Sequence, residues 1–269
     1  MAVELKFERK PKFLFALEDC LTMISRSTRH IVRNTDQLLG TFFQPIMFLV
    51  LFSAIYANAI KGLPPGVSYL QFLMAGIIVQ TVAFGSTTTA IAVCNDLQKG
   101  IMDRFRSLPM FNLAVLTGHV ISDLFRNAIS TTVLITAGLV LGFRSIGASL
   151  TDWLLIIAII GLFTLAFSWI SAIMGVLAKS VEAVQWLSFI IVFPLTFASS
   201  AFVPTAGMNP VLRAFAENQP ITQVVNAIRN LMLNQPVGNT VWLAIVWCLG
   251  IIIVAVPLAS YLFRKKTTS

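Results

Sequence analysis

Residues 153–178 read WLLIIAIIGLFTLAFSWISAIMGVLA, a run of 26 residues that contains no Asp, Glu, Lys or Arg. A helix needs about 20 apolar residues to cross about 30 Å of hydrocarbon, so this run is long enough for a transmembrane helix. Continuous apolar segments such as Trp153–Ile160 lack the two-residue alternation that a membrane barrel strand requires. The stretch therefore predicts a helical membrane protein.

Five other windows also lack charged residues and predict the remaining spans. They cover residues 37–60, 62–95, 127–143, 183–212 and 230–263. A charged side chain at the centre of a bilayer costs at least about 2.5 kcal/mol, so windows of this kind are expected to lie in lipid. We predict an all-α polytopic membrane protein, with residues 1–269 in a single transmembrane domain. Its six transmembrane helices are placed near residues 37–60, 70–94, 117–142, 153–178, 184–204 and 240–262.

The composition excludes several other classes of protein. The chain is 57% hydrophobic and 11% charged, whereas soluble domains are about 45–50% apolar and about 25% charged. No basic stripe alternates with aromatic residues, so no nucleic-acid partner is expected. His30 and His119 stand on separate segments and form neither a metal cluster nor an acyl-transfer triad. The stretch 175–180 lacks the glycine of a phosphate loop. We therefore predict no catalytic residue, no metal and no cofactor on this chain.

Lysine and arginine are distributed unequally between the two predicted sides of the membrane. With six spans both termini share one side, and that side holds most of the 19 Lys and Arg residues, including seven before residue 37. The opposite side holds Lys61, Arg144, Arg213 and Arg229. Loops rich in Lys and Arg stay cytoplasmic. Both termini are therefore expected in the cytoplasm.

Two segments outside the spans are predicted to contact the membrane surface. Residues 11–33 place Leu14, Leu17 and Leu21 on one helical face with arginines elsewhere, which is typical of an interfacial amphipathic helix. The same residues also serve as a basic flank that sets orientation. Residues 205–237 contain several prolines and apolar residues at helical spacing. This pattern predicts an extracellular helical hairpin, either re-entrant into the outer leaflet as a lid or lying on the outer surface.

The loop between the second and third spans is amphipathic. In residues 95–109, NDLQKGIMDRFRSLP, the side chains of Leu97, Ile101 and Phe105 share one helical face and leave a polar face opposite. Pro109 is expected to end the helix. A short helix lying flat on the membrane would present its polar face to a partner, although an ordinary connector has the same pattern.

Polar residues inside the spans indicate two further features. The second span carries Gln80, Thr81 and Thr88, which are polar enough to face a cavity or a partner helix rather than lipid. Asp123 and Arg126 lie three residues apart in the third span and are expected to form an intramembrane ion pair.

Four stretches resemble type-2 ABC export permeases. Residues 96–109 are similar to the cytoplasmic signature of that family. Residues 115–126, VLTGHVISDLFR, and the external stretches 200–205 and 212–220 resemble the daunorubicin-resistance (antibiotic efflux) branch. With the six-span layout, the resemblance covers essentially the whole chain. His119 stands where we would expect arginine in much of that branch.

The resemblance implies partners and a mechanism. The chain would lie in the bacterial plasma membrane and pair there with a second permease subunit, identical or paralogous. Two ABC ATPase subunits on the cytoplasmic side would hold ATP and Mg. Residues 95–109 would form the coupling helix. The residues assigned to ATPase coupling are Asp96, Gly100, Asp103, Arg104, Phe105, Arg106, Pro109 and Glu182. ATP-driven motion of this helix would tilt the second and third spans around a central cavity. Phe193 and Phe197 of the fifth span are candidate lining residues beside Gln80, Thr81 and Thr88.

The expected function is export of an amphipathic or hydrophobic compound, such as a drug, an antibiotic or a lipid-like molecule. A permease for a lipid-linked glycan or a lipid is an alternative with the same fold. A membrane scaffold or channel without an ATPase partner is an alternative from another class.

Overall fold

The computed structural model describes residues 35–57, 59–60, 63–99 and 114–268. All regular secondary structure within these ranges is helical. The helices are α1 (Thr35–Tyr56), α2 (Tyr69–Gly85), α3 (Thr87–Gln98), α4 (Ala114–Val140), α5 (Leu150–Leu177), α6 (Val181–Phe197), α7 (Pro210–Asn218), α8 (Pro220–Met232) and α9 (Thr240–Thr268), with a 3-10 turn at Thr205–Gly207. The predicted interfacial helix at 11–33 lies outside the described residues.

Three stretches of the described chain are long and apolar enough to cross a membrane. They are Tyr69–Gln98, which joins α2 and α3, Leu150–Leu177 in α5, and Thr240–Lys266 in α9. Phe42–Tyr56 of α1 and Val181–Phe197 of α6 are apolar but shorter. The helical architecture with apolar spans agrees with the expectation from sequence, whereas the number of six crossings remains a prediction.

Two of the predicted spans differ from the helices that form. The span expected at 70–94 lies within one apolar stretch, Tyr69–Gln98, whose helix is interrupted only at Ser86, where α2 ends and α3 begins. The span expected at 184–204 is helical only to Phe197. After that residue the chain turns toward α8, where the Ser200 amide donates to the Thr222 hydroxyl at 3.2 Å. Tertiary contacts with α8 therefore compete with continuation of the helix.

Local capping signals fix where two of the long helices begin. Ser68 and Gln71 form a capping box at the start of α2, and Ser149 and Asp152 form another at the start of α5. Each box satisfies amide groups that a helix N-terminus leaves unpaired. The Asp152 carboxylate accepts hydrogen bonds from the Ser149 hydroxyl and amide, both at 2.7 Å.

Helix α5 lies at the centre of the bundle and contacts α2, α3, α4, α6, α8 and α9. Its buried face includes Phe163, Phe167 and Ala172. Burial of such side chains in a protein interior stabilises the fold through close packing, because lipid is as apolar as the core itself. At Gly175 a side chain would overlap the backbone of Ala90, so α3 and α5 approach closely there.

The segment between α6 and α9 contains two short helices. Helix α8 packs against α2, α5 and α9, and it buries Ile221, Val224 and Ile228. Helix α7 is largely exposed and carries an Arg213–Glu217 ion pair of 2.7 Å. Entry of this pair of helices into the outer leaflet remains a prediction.

Arg229 of α8 is a buried cation that is 4% exposed. Its guanidinium donates to the backbone oxygens of Phe72 at 3.0 Å and Ser200 at 2.6 Å. It also donates to Asn226 Oδ1 and lies 3.6 Å from the Phe72 ring centroid. Because burial without partners would be costly, these bonds hold α8 against α2 and the end of α6.

Candidate functional site

A cavity of about 400 Å³ lies between α1, α2, α3 and α6. Helix α1 contributes Gln44 and Phe48 to its wall, and helix α2 contributes Gln80 and Phe84. A second space of about 320 Å³ lies between α1 and the α2–α3 junction, shares Gln44, Phe48, Gln80 and Phe84 with the first, and includes Thr81. Both spaces are therefore bounded by the same faces of α1 and α2.

Helices α3 and α6 complete the wall of the larger cavity. Helix α3 contributes Thr87, Thr88 and Ile91. Helix α6 contributes Gln185, Ser188, Phe189, Phe193 and Phe197. The structure thus brings four of the predicted lining residues together in one cavity, and these are Gln80, Thr88, Phe193 and Phe197. Thr81, the fifth, lies in the adjoining space.

The other lining residues follow a pattern that our sequence analysis missed. In α1, α2 and α6 a glutamine is followed four residues later by a phenylalanine, as Gln44–Phe48, Gln80–Phe84 and Gln185–Phe189. Residues four apart lie on the same helical face. This spacing within apolar windows is a sequence signal that identifies the cavity-facing sides of α1, α2 and α6.

Aromatic rings form a continuous ladder along α6. The ring centroids of Phe189 and Phe193 are 4.8 Å apart, and those of Phe193 and Phe197 are 4.2 Å apart. Phe197 continues the ladder to Phe202 at 4.8 Å. The rings of Phe189, Phe193 and Phe197 thus form an apolar aromatic wall of the cavity along α6.

Two buried polar atoms on the cavity wall have no hydrogen-bond partner among the described residues. They are Oε1 of Gln80 and Oγ of Ser188. Gln80 is 4% exposed and Ser188 is 2% exposed. A buried polar atom without a partner costs about 1–3 kcal/mol, so both atoms would gain from a new partner.

The break between α2 and α3 lies on the cavity wall. The Ser86 hydroxyl donates to the Val82 oxygen at 2.9 Å, and the Thr88 hydroxyl donates to the Gly85 oxygen at 2.7 Å. Hydroxyl groups that bond back to the preceding turn can satisfy carbonyls at a bend within a membrane helix. A side chain at position 85 would overlap Asn127 Oδ1 of α4, so α2 and α4 are in close contact at this level.

Several contacts join α3 to its neighbours at the end that leads into the predicted coupling loop. His119 Nε2 of α4 lies 3.0 Å from Asp96 Oδ2 of α3. The Gln98 side-chain amide donates to the Lys179 oxygen at 2.8 Å, and Lys266 of α9 donates to the Ala178 oxygen at 3.0 Å. The ends of α3, α5 and α9 therefore meet. Gln98 and Lys266 were not among the predicted site residues.

The predicted coupling residues fall only partly within the described chain. Asp96 lies in α3, and Glu182 lies in the first turn of α6, which begins after the link that Gln98 contacts. The Glu182 pKa is lowered because its own backbone amide and the Ser180 hydroxyl stabilise the carboxylate. The remaining members lie outside the described residues, and these are Gly100, Asp103, Arg104, Phe105, Arg106 and Pro109.

Asp123 and Arg126 are in direct contact within α4. The Arg126 guanidinium and the Ser168 hydroxyl of α5 both donate to the Asp123 carboxylate. Asp123 is fully buried and Arg126 is 7% exposed. The contact neutralises both charges locally and ties α4 to α5. Among the described residues no group of acidic, histidine and cysteine side chains could hold a metal ion.

The site is thus a cavity between apolar helices, and its wall carries amide, hydroxyl and aromatic groups. Residues 18–233 match the family model described as ABC-2 type transporter. The chain belongs to this family.

Individual relatives are similar over most of their length. The chain is 30% identical to a daunorubicin resistance ABC transporter permease protein of Streptomyces coeruleorubidus, over 96% of this chain and 90% of the relative. It is 25% identical to a probable doxorubicin resistance ABC transporter permease protein of Mycobacterium tuberculosis, over 92% and 89%. It is 24% identical to a nodulation protein J of Rhizobium leguminosarum bv. viciae, over 80% and 82%. The expected resemblance to the daunorubicin-resistance branch of ABC permeases is therefore confirmed.

Proposed function

We propose that the chain is the transmembrane permease subunit of an ATP-driven exporter. It moves an amphipathic or hydrophobic compound out across the cytoplasmic membrane by alternating access. The observation that carries this proposal is the cavity of about 400 Å³, because its wall combines amide, hydroxyl and aromatic groups inside otherwise apolar helices. Such polar groups find no hydrogen-bond partners at positions that face lipid, whereas an amphipathic cargo in the cavity can form hydrogen bonds with them.

Energy would enter through the segment that follows α3. Two ABC ATPase subunits on the cytoplasmic side would grip residues 95–109 and hydrolyse ATP, with Mg, at their own sites. Glu182 supports a second point of contact, because the adjacent link at 178–180 is bonded to Gln98 and Lys266. A displacement of the coupling segment would then move α3 and the start of α6 together.

The break at Ser86 supports a route from this motion to the cavity. Helix α2 is held at its outer end, where Arg229 bonds to Phe72 and the Tyr69 hydroxyl donates to Phe202 at 3.0 Å. Helix α3 is joined instead to the cytoplasmic ends of α4 and α5. A tilt of α3 about Ser86 would displace Thr88 relative to Gln80 and change the shape of the cavity. Two arrangements that differ by a few kcal/mol are enough for ATP to bias them.

The open side of the cavity supports a second permease subunit as its neighbour. Gln44 and Gln185 are exposed at this side, next to the exposed ring of Trp186. An amide that faces lipid tails forfeits its hydrogen bonds, so a partner subunit is the better neighbour. Two copies, identical or paralogous, would enclose the cavity between them, with residues 205–237 covering its outer end.

Co-purification and export together test this function. The tagged chain, extracted in mild detergent from its native host, is expected to bring down an ABC ATPase, and Arg104→Glu is expected to abolish export without removing the permease from the membrane. Deletion is expected to sensitise cells to amphipathic drugs from a test panel. A chain that never captures an ATPase, with export unaffected by Arg104→Glu, would instead favour a scaffold or channel.

Membrane orientation has its own test. In a variant whose native cysteines are replaced, Ser107→Cys is expected to resist an impermeant thiol reagent in whole cells and to react in inverted vesicles. Labelling from outside would contradict the cytoplasmic position of the coupling segment.

A further inference from the structure

Among the residues whose side chains the structure describes, the cavity wall carries no charged group on any of its four helices. Its polar members are glutamine, serine and threonine, and its remaining members are phenylalanine, glycine, proline and isoleucine. An ion that enters a medium of low polarity without a counter-charge loses its hydration and gains little in return. The wall therefore favours uncharged groups over ions of either sign.

The polar groups of the wall are arranged in register with the rings. Each of α1, α2 and α6 presents an amide and, four residues later, an aromatic ring, so every amide has a ring about one helical turn away. A carboxamide both donates and accepts hydrogen bonds. The three pairs thus place hydrogen-bonding groups beside apolar aromatic rings on three walls of the cavity.

Two of the polar groups have unused capacity. Gln80 Oε1 can accept a hydrogen bond, and Ser188 Oγ can donate one and accept others, yet neither has a partner among the described residues. A hydroxyl, amide or neutral amine of a cargo would satisfy Gln80 Oε1. A carbonyl of the cargo would satisfy the Ser188 hydroxyl.

We propose that Gln44, Gln80 and Gln185 are specificity-determining residues that select the uncharged form of an aromatic cargo bearing hydrogen-bond donors and acceptors. This proposal rests on the export function above and narrows its cargo. The cavity discriminates against a permanent cation because no described carboxylate lines it. It also discriminates against the pyrophosphate of a lipid-linked glycan because no described lysine or arginine lines it.

Binding to the permease–ATPase complex in lipid nanodiscs tests the proposal with three probes. They are Nile red, which is aromatic and uncharged; ethidium, which is aromatic and permanently cationic; and undecaprenyl pyrophosphate, which is anionic. Empty nanodiscs give the background. Nile red is expected to bind at least about tenfold more tightly than the other two. Equal or tighter binding of ethidium or of the pyrophosphate would overturn the proposal, as would no binding of Nile red.

Substitutions separate recognition from folding. Gln80→Leu and Gln44→Leu are expected to weaken Nile red binding by about fivefold each through loss of a hydrogen bond. Gln223→Leu in α8, whose amide bonds to the Glu217 oxygen away from the cavity, is the matched control and should leave binding unchanged. Equal affinities in all three variants and the wild type would contradict the assignment.

A change of charge gives a readout that a purely structural role would not produce. Gln185 is exposed and tolerates ionisation. Gln185→Glu is therefore expected to raise ethidium affinity by about tenfold and to lower Nile red affinity. Unchanged preference in a monodisperse Gln185→Glu complex would overturn the proposal. Failure of the export function would instead appear as a wild-type chain without an ATPase partner.

Discussion

His119 of α4 and Asp96 of α3 lie in direct contact, with Nε2 and Oδ2 3.0 Å apart. Asp96 lies at the start of the predicted coupling segment and His119 lies ten residues after its end, so their contact joins the two helices that the segment connects. His119 stands where arginine is expected in much of the daunorubicin-resistance branch. An imidazole reaches Asp96 with a single nitrogen, whereas a guanidinium could bond to both carboxylate oxygens.

Removal of this contact should weaken coupling more than it weakens the fold. His119→Ala is expected to cost about 1 kcal/mol of stability and to lower the unfolding midpoint by about 2–4 °C. ATP-dependent transport should fall further, because α3 and α4, the helices that the coupling segment connects, lose a direct contact. His119→Gln, which keeps a donor, serves as the control. Transport equal to wild type in His119→Ala would exclude a coupling role for the contact.

Arg229 is expected to be the most sensitive residue of the segment 205–237. Arg229→Met leaves the oxygens of Phe72 and Ser200 buried without their partner, and the expected loss is about 3 kcal/mol. Arg229→Lys should recover only part of it, since one ammonium cannot reproduce the fork of the guanidinium. Thermal unfolding in detergent measures both. Arg213→Met is the control, because exposed ion pairs contribute at most about 1 kcal/mol.

Substitutions of Asp123 and Arg126 are expected to change the free energy of unfolding in a strongly non-additive way. Asp123→Ala leaves Arg126 as a buried charge without its counter-ion, and the expected loss is about 3–5 kcal/mol. The double variant Asp123→Ala with Arg126→Leu should regain much of that loss, because both charges are then absent. A double-mutant cycle on unfolding free energies provides the measurement. Strictly additive losses would show that the two side chains act independently.

The positions of most apolar helices and some of the candidate lining residues could be predicted from the sequence for physical reasons. Charge-free windows locate helices because lipid excludes charge. Polar groups are rare in such windows, so Gln80 and Thr88 were candidate lining residues from sequence, and both line the larger cavity. The break at Ser86 was not predicted, since a run of serine and threonine is compatible with a continuous helix. The early end of α6 depends on contacts with α8, which lie far away in sequence. The hydrogen bond from the Gln98 side chain to the Lys179 oxygen could not be predicted either, because it depends on tertiary contacts between helix ends.

Substitution of Ser86 can distinguish a second span that bends at this residue from one that moves as a rigid helix. Ser86→Ala removes the hydroxyl bond to Val82 and introduces a strong helix former, so the two helices should merge. ATP-dependent transport is expected to fall by about tenfold while the ATPase still binds. The nucleotide-dependent change in amide hydrogen exchange at residues 84–90 should disappear.

A matched variant controls for loss of a buried hydroxyl. Ser130→Ala removes an equivalent bond, from Ser130 to the Arg126 oxygen at 3.0 Å, within the unbroken helix α4. It should leave transport and its exchange pattern near wild type. If both variants transport equally well, and exchange at residues 84–90 never responds to nucleotide, the second span moves as one rigid rod. Motion would then have to reach the cavity through displacement of whole helices, with α3 and α2 moving together past Asn127.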